Sequence, residues 1–382
     1  MRGVCVPITP SVLAWAIRES GYSTEEVAAN LDVPTASVKA WLSGTELPTL
    51  AKFRKLAAFL KRTPSALLLA EPPSRTYPSV KFRRPAGEER SELNPTERRF
   101  IREAARVQRI LSWVISEIGQ EPAHVALAHV RTNDAEMPAR TARGILAITD
   151  DAQAGWKSSL QAFDAWRTSL EERGVLIFAL PLGETSCRGF SLWDERAPVV
   201  SVNTAWNIEA RIFSLLHEYG HLLTRTDSAC IEDGSTDALL HDEDDIERWC
   251  ERFSAAVLMP KRSVEQVLRS EFSRRHSQLA VASFLAKQFK VSLRAAVIRL
   301  IEIDYASWNL YRQIPPRSDT KRAGGGGKGR NRLQVREDQF GRRTTQLLLR
   351  AVENDVLTRT DMLGILSMAE SDLEMPRLTG AK

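Results

Sequence analysis

The sequence predicts a mostly helical protein with one small β-sheet, an α+β fold. Three short runs, rich in β-branched and other apolar residues, lie close together at 174–180, 189–193 and 198–203, with turn residues between them. Directly after them, residues 211–223 show apolar residues at steps of three and four, which is typical of a helix. Helical periodicity also dominates on both sides of this stretch. We therefore expect a helical bundle at the N-terminus, a sheet-and-helix core, and a helical C-terminal region.

Length and composition limit the classes of protein. A chain of 382 residues is long enough for two or three domains, each with its own core. A hydrophobic share of 43% and a charged share of 26% are typical of folded globular proteins. The net charge of +5 permits a nucleic-acid partner without requiring one.

The sequence also bears on location and membrane contact. The four cysteines show no C-x-x-C spacing, which favours reduced thiols in a cytoplasmic protein over a disulfide framework. No apolar run approaches the ~20 residues that span a bilayer. Prolines and charged residues interrupt the short apolar stretch at the N-terminus, so it does not resemble a signal peptide. We expect a cytoplasmic protein with no membrane partner.

Residues 9–71 indicate a compact set of short helices. A capping box at Ser23 and Glu26 opens the second helix, and a tight turn at 32–34 separates it from a third at 35–42. Two short helices joined by a three-residue turn describe a helix-turn-helix, whose second helix enters the major groove of double-stranded DNA.

Candidate DNA contacts lie on the third of these helices. Thr35, Ser37 and Lys39 carry side chains that can bond bases or phosphates. Basic residues further on could add contacts to the DNA backbone: Lys52, Arg54, Lys55, Lys61 and Arg62. The alternative is a small helical bundle that binds a protein instead of DNA.

The same segment resembles the Xre/Cro-type repressor domains. The residues that carry the resemblance are Leu13–Ala16, Glu25–Ala28, Val38–Trp41, Gly44 and Pro48–Thr49. The resemblance implies DNA binding, although Leu42 replaces a glutamate that is usual in these domains. We expect Trp41 to belong to the bundle core and not to stack on a base.

A metal-site motif lies in the helix that follows the predicted sheet. Residues 217–221, His-Glu-Tyr-Gly-His, fit the H-E-x-x-H pattern of zinc hydrolases. Residues four apart project from one helical face, so His217 and His221 can reach one small cation. Glu218 can then lie beside the water that the cation activates and accept its proton. The alternative is an amphipathic helix whose two histidines bind no metal.

Three more residues of this region enter the prediction. Gly220 indicates close packing against a neighbour, because glycine inside a helix costs about 1 kcal/mol relative to alanine. The group that stabilises the oxyanion is not evident from the sequence, and Tyr219 and His241 are candidates together with backbone donors.

A third ligand is expected from the next predicted helix, within residues 246–260. Catalytic zinc has three protein ligands and an open fourth position. Glu247 and Glu251 lie on one face of that helix, so spacing alone does not choose between them. Cys250 is a less suitable candidate.

These motifs together resemble the ImmA/IrrE family of metallo-endopeptidases. The residues that carry the resemblance are Val202–Asn203, Arg211, Phe213, His217–His221 and Glu247–Pro260. They fall within residues 170–305, and an N-terminal helix-turn-helix is a known arrangement in this family. Within the second helix, Cys250 and Glu251 replace an Ala-Asn pair that is common in the family.

The resemblance implies a fold, a cofactor and a reaction. It implies a zincin-like core with Zn²⁺ held by His217, His221 and Glu247, and with Glu218 as the catalytic base. It also implies a transcriptional repressor as the protein substrate, cleaved in a stress or mobile-element response. The rival hypothesis is a non-proteolytic DNA-binding regulator or antitoxin whose metal site is structural or sensory.

The expected organisation has five segments. A helix-turn-helix domain at 1–71 is followed by a linker at 72–94 and a metallopeptidase domain with a helical lead-in at 95–310. A flexible, basic, glycine-rich linker is expected at 311–341, and a helical extension at 342–382. The expected partners are double-stranded DNA and a protein substrate. The sequence leaves a homodimer open.

Overall fold

The computed structural model describes residues 4–73, 79–80, 93–121, 134–224, 229–230, 243–272, 277–314 and 331–373. Within these ranges the chain is mostly helical with a small mixed sheet, so the predicted α+β class is confirmed. The contacts divide the chain into two units. The first contains Met1–Tyr77 and Ala86–Glu103, and the second contains Pro78–Pro85 and Ala104–Lys382.

The first unit is a bundle of short helices. Its elements are α1 (Pro10–Ser20), α2 (Thr24–Leu31), α3 (Thr35–Ser43), α4 (Leu50–Phe59) and a 3₁₀ helix (Pro64–Leu68). The capping box that opens α2 is present, because Ser23 Oγ accepts from the Glu26 amide and the Glu26 carboxylate accepts from the Ser23 amide. Trp41 is buried in the bundle core, as expected.

The helices that follow run from residue 95 to residue 373. They are α5 (Pro95–Glu117), α6 (Glu136–Ile145), α7 (Asp150–Gly155), α8 (Ser159–Glu172), α9 (Ile208–Thr224), α10 (Glu243–Leu258), α11 (Lys261–Glu271), α12 (Gln278–Phe289), α13 (Leu293–Glu302), α14 (Trp308–Gln313), α15 (Arg332–Phe340), α16 (Arg342–Glu353), α17 (Arg359–Ile365) and a 3₁₀ helix (Glu370–Leu373). Among the described residues, no helix combines the length and apolar character that a membrane span needs.

The strands within the described residues are short. They are β1 (Ser79–Val80), β2 (Leu176–Leu180), β3 (Gly189–Leu192), β4 (Val199–Asn203) and β5 (Ala229–Cys230). The three predicted strands form one sheet in the order β2-β4-β3, with β2 parallel and β3 antiparallel to β4. All five residues of β4 are buried, so the central strand lies inside the core.

The core of the second unit joins the sheet to α8, α9 and α10. Trp156 and Trp166 are both buried there, with ring centroids 5.8 Å apart in an edge contact. A sheet with a helix layer packed on it holds the motif helix α9 against β3 and β4.

The segment after residue 310 differs from the prediction. A flexible linker through residue 341 is wrong at both ends, because 311–313 belong to α14 and 332–340 form α15. Phe340 is the physical reason at the second end: its buried ring meets Phe178 of β2 at 5.4 Å between centroids. The glycine-rich run at 324–330 lies outside the described residues.

The rest of the C-terminal region agrees better. The segment expected as a helical extension contains α16 and α17. The capping residue of α17 is Thr358, whose hydroxyl accepts from the Asp361 amide. Most of the predicted linker at 72–94 lies outside the described residues.

Candidate metal centre

Helix α9 places the motif in the interior of the second unit. His217, Glu218 and His221 are only 0%, 2% and 4% exposed, respectively, although all three are polar or ionisable. Buried groups of this kind need partners, so their surroundings determine what the site can do. The imidazole Nε2 atoms of His217 and His221 face each other at 3.3 Å.

Helix α10 brings Glu247 to the two imidazoles. Its carboxylate oxygens lie 3.2 Å from His217 Nε2 and 3.2 Å from His221 Nε2. A tetrahedral zinc ion about 2.0–2.1 Å from each ligand requires ligand atoms about 3.3 Å apart. The three side chains therefore have the spacing that such an ion needs. Within the described residues they are the group that could hold a metal.

Charge at the site also suits a cation. Burial by itself would raise the pKa of Glu247, but hydrogen bonds with His217 and His221 hold that pKa well below its usual range. Burial by itself would lower the pKa of His221, but Cys250, Glu247 and Glu218 raise it well above its ordinary value. The two carboxylates thus favour positive charge among the imidazoles, which fits a bound divalent ion.

The structure separates the candidates for a third ligand. Glu247 faces the histidines, whereas Glu251 is exposed one turn further along α10. Cys250 is completely buried, and burial raises the pKa of its thiol. A neutral thiol is a poor metal ligand, which leaves Glu247 as the candidate for the third ligand.

Glu218 is held by a strand residue that the sequence analysis did not single out. The Ser191 hydroxyl of β3 donates to Glu218 Oε2 at 3.1 Å. Gly189, two residues earlier, faces the same carboxylate, and a Cβ there would lie 3.2 Å from Glu218 Cγ. The strand next to the motif helix therefore shapes the surroundings of the candidate base.

Gly220 packs closely, as predicted. A Cβ at this position would lie 3.2 Å from Cys250 Sγ and 3.3 Å from Phe253 Cδ1. Glycine therefore lets α9 and α10 approach closely enough for Glu247 to reach the histidines of α9.

Two residues of the resemblance hold the chain just before α9. The Asn203 side-chain amide donates to the Gly183 and Cys187 carbonyls at 2.7 and 2.9 Å. The Arg211 guanidinium donates to the Trp206 and Thr204 carbonyls at 2.8 and 3.0 Å. Together they fix the turn between β4 and the motif helix.

The two oxyanion candidates do not gain support. Tyr219 is 1% exposed in the apolar core and 6.2 Å from Phe253 between ring centroids, so its ring serves packing. His241 lies outside the described residues.

The candidate DNA contacts lie on α3 of the first unit. Thr35 and Ser37 are half-buried and Lys39 is exposed. Lys52, one of the additional basic candidates, instead caps α2, since its ammonium group donates to the Leu31 and Asp32 carbonyls at 2.6 and 3.1 Å.

A large cleft of the second unit lies away from these residues. Its volume is about 1180 Å³, and it is lined mainly by α6, α7, α11 and α12 with charges of both signs. Neither Glu218 nor the three candidate ligands line it. Because its lining contains no metal-binding group among the described residues, we place the functional site between α9 and α10.

Two histidines and a glutamate beside a buried carboxylate form a group that could hold one metal ion. Residues 170–301 match the sequence model of the IrrE N-terminal-like domain, peptidase family M78. The match supports a metallopeptidase domain of the ImmA/IrrE type in this part of the chain. It includes β2 to β4, α9 and α10, and so every residue of the candidate metal centre. No curated protein matches the chain.

Proposed function

We propose that this protein is a zinc-dependent endopeptidase joined to a DNA-binding domain. The observation that carries the proposal is the spacing of His217, His221 and Glu247, whose ligand atoms lie 3.2–3.3 Å apart beside the buried carboxylate of Glu218. A structural zinc site has no need of such a carboxylate.

The residues of the site have separate tasks. His217, His221 and Glu247 would hold the ion through the two Nε2 atoms and the carboxylate. Bound zinc supplies a Lewis acid that polarises the scissile carbonyl and acidifies a water. The Glu218 carboxylate accepts a proton from that water and delivers it to the nitrogen of the leaving amine.

The proposed substrate is a transcriptional repressor. The support is the ImmA/IrrE resemblance together with the match over residues 170–301. The strand β3, which contacts Glu218, is an edge strand of its sheet, and an edge strand is where an extended peptide can pair. We place the reaction in the cytoplasm, within a stress or mobile-element response.

The first unit is proposed to bind double-stranded DNA. Helices α2 and α3 are joined by three residues, and α3 carries Thr35, Ser37 and Lys39. This arrangement suits entry of α3 into a major groove, where hydroxyl and ammonium groups contact bases and phosphates.

The rival is a DNA-binding regulator or antitoxin without peptidase activity. In that case the metal would only stabilise or sense, and Glu218 would have no chemical task. Burying a carboxylate without a task is costly, so its position 2% exposed beside the ligands favours the enzyme.

The metal and the base can be tested separately. The purified protein is expected to bind about one Zn²⁺ per chain, as three ligands with an open fourth position require. Glu247→Gln should lose zinc, whereas Glu251→Gln, an exposed change of the same chemistry, should retain it. Elemental analysis measures both. The opposite pattern would assign the third ligand to Glu251.

Glu218→Gln should keep zinc and fold but cleave no repressor, because only the proton acceptor is lost. Cleavage is followed by electrophoresis with the repressors encoded near its own gene as substrates. Wild-type cleavage rates in Glu218→Gln would remove the proposed base. Zinc uptake without cleavage by the wild type would favour the rival.

A further inference from the structure

The strand β3 touches the candidate base at two positions on one face. Gly189 and Ser191 are two residues apart and therefore point to the same side of the sheet. That side faces Glu218 of α9. Neither residue is a metal ligand.

Ser191 makes a specific bond to the carboxylate. Its hydroxyl donates to Glu218 Oε2 at 3.1 Å, with Ser191 0% and Glu218 2% exposed. A hydroxyl that donates to a buried carboxylate forms a charge-assisted hydrogen bond, which is stronger than a neutral one. The bond therefore restricts the rotation of the carboxylate and determines the direction of Oε1.

Gly189 makes the close approach possible. A Cβ at this position would lie 2.7 Å from the Ser201 carbonyl oxygen and 3.4 Å from Glu218 Oε1. The first distance is a clash with backbone, which cannot move aside cheaply. The strand can thus lie against the carboxylate only with glycine here, which in turn places Ser191 within hydrogen-bonding distance.

A general base must hold its accepting oxygen within hydrogen-bond reach of the proton that it takes. A glutamate side chain has several rotatable bonds, so its carboxylate needs a second contact to stay in one orientation. We propose that Ser191 is a positioning residue that orients the Glu218 carboxylate toward the reacting water. The proposal rests on the proposed function, since it requires Glu218 to be the base.

A simpler role for Ser191 is that of a small side chain that fits under the sheet. The chain offers a matched control for that role. Ser201 on the neighbouring strand β4 is also 0% exposed, and its hydroxyl oxygen has no hydrogen-bond partner among the described residues. Both Ser191→Ala and Ser201→Ala remove a hydroxyl from the interior of the sheet. Only Ser191→Ala also removes a hydrogen bond to Glu218.

The test uses the zinc-loaded full chain and acetohydroxamate as the probe. A hydroxamate binds the metal and hydrogen-bonds to the adjacent base, so its affinity reports the orientation of Glu218. By titration calorimetry, Ser191→Ala should raise the Kd about tenfold, the scale of one lost charge-assisted hydrogen bond. Ser201→Ala and the hydroxyl-retaining Ser191→Thr should bind as the wild type does, and all variants should retain zinc.

A double-mutant cycle makes the assignment specific. In a Glu218→Gln background, Ser191→Ala should cause no comparable further loss, because the two residues act through one bond. On any peptide that the wild type cleaves, Ser191→Ala should lower kcat and leave KM nearly unchanged.

Wild-type probe affinity in Ser191→Ala, or an equal loss with and without the Glu218 carboxylate, would overturn the positioning role alone. A wild type that takes up no zinc would instead overturn the proposed function.

Discussion

Gly220 is the residue on which the distance between α9 and α10 depends. Its missing side chain leaves room for Cys250 Sγ and Phe253 Cδ1, which would lie 3.2 and 3.3 Å from a Cβ. Replacing a glycine by alanine at an unpacked helix position stabilises the helix, since alanine is the better helix former by about 1 kcal/mol. The effect of a methyl group at residue 220 therefore depends on packing.

We expect Gly220→Ala to lower the free energy of unfolding. Overpacking by the added methyl group destabilises the protein by about 1–3 kcal/mol. The better helix propensity of alanine offsets about 1 kcal/mol of this loss. Zinc affinity should fall as well, because α10 carries Glu247. Denaturant titration and zinc titration measure the two effects.

Gly144 provides the control. It lies in α6 with nothing within 4 Å of its added Cβ, so Gly144→Ala should leave zinc affinity unchanged and stabilise the protein slightly. Equal stability changes at both positions would show that propensity, and not packing, decides at residue 220.

For single residues of the site, the sequence predicts only contacts between near neighbours in the chain. His217, Glu218 and His221 are neighbours on one helix, so spacing brings them together without knowledge of the fold. Ser191 is 27 residues from Glu218, and its contact depends on how β3 pairs with β4 and packs on α9. Nothing in a lone serine within a strand indicates such a partner.

Among the elements, α10 has an unusual C-terminal end. The last carbonyls of a helix lack partners within it. Here the carbonyls of Val257, Leu258 and Met259 accept from Arg143, Gln153 and Arg299, respectively, at 2.8, 2.9 and 2.8 Å. All three donors are buried. Two of the donors, Arg143 and Arg299, are cations, which are attracted to the negative C-terminal end of the helix dipole.

Replacing Gln153 should reveal the importance of this end. Gln153→Met keeps the volume but leaves the Leu258 carbonyl and the Arg143 guanidinium each one bond short. A buried group without its partner costs about 1–3 kcal/mol. We expect a loss of that size in urea unfolding, with zinc stoichiometry unchanged because Glu247 lies at the other end of α10.

The control is Gln266→Met on the exposed surface of α11, which should stay within about 0.5 kcal/mol of the wild type. A Gln153→Met protein as stable as this control would mean that the capping bonds contribute little.

Element predictions succeeded where periodicity was strong and failed where contacts between distant residues decide. The three strands and the motif helix follow from their patterns. Helix α15 does not, because its sequence is mostly polar. Its contacts join distant residues: Phe340 meets Phe178, 162 residues away, and Arg167 donates to the Asp338 carbonyl at 2.9 Å. The capping of α10 likewise joins residues that are distant in the chain.

For the whole molecule, a DNA-binding domain joined to a metallopeptidase domain stays a prediction, and the contacts of the first unit refine how to test it. Residues 93–103 belong to that unit together with the N-terminal helices. Arg98 and Arg102 donate to the carbonyls of Arg18 and Glu19 at 3.4 and 3.2 Å, at the end of α1. Removing residues 1–71 would break these bonds, so a point substitution is the cleaner test of DNA binding.

The purpose of joining the two activities is proposed to be local concentration. Holding a peptidase and a repressor on adjacent DNA raises their effective concentration, commonly to about the mM range for short linkers. This gain needs no additional contact at the metal centre. It would allow a site with modest selectivity to act on one protein.

Lys39→Ala tests this link because Lys39 is exposed on α3 and outside the core. We expect weaker binding to duplex DNA and a salt dependence reduced by about one phosphate contact. Repressor cleavage in cells should slow severalfold, while cleavage of a short peptide in solution should not change.

Lys287→Ala removes the same charge from the exposed surface of α12 and should affect neither process. If Lys39→Ala slowed both reactions equally, damage to the fold would explain it. If it weakened DNA binding without slowing repressor cleavage, DNA binding would serve a task separate from proteolysis. Unchanged DNA affinity would favour the alternative in which the first unit binds protein.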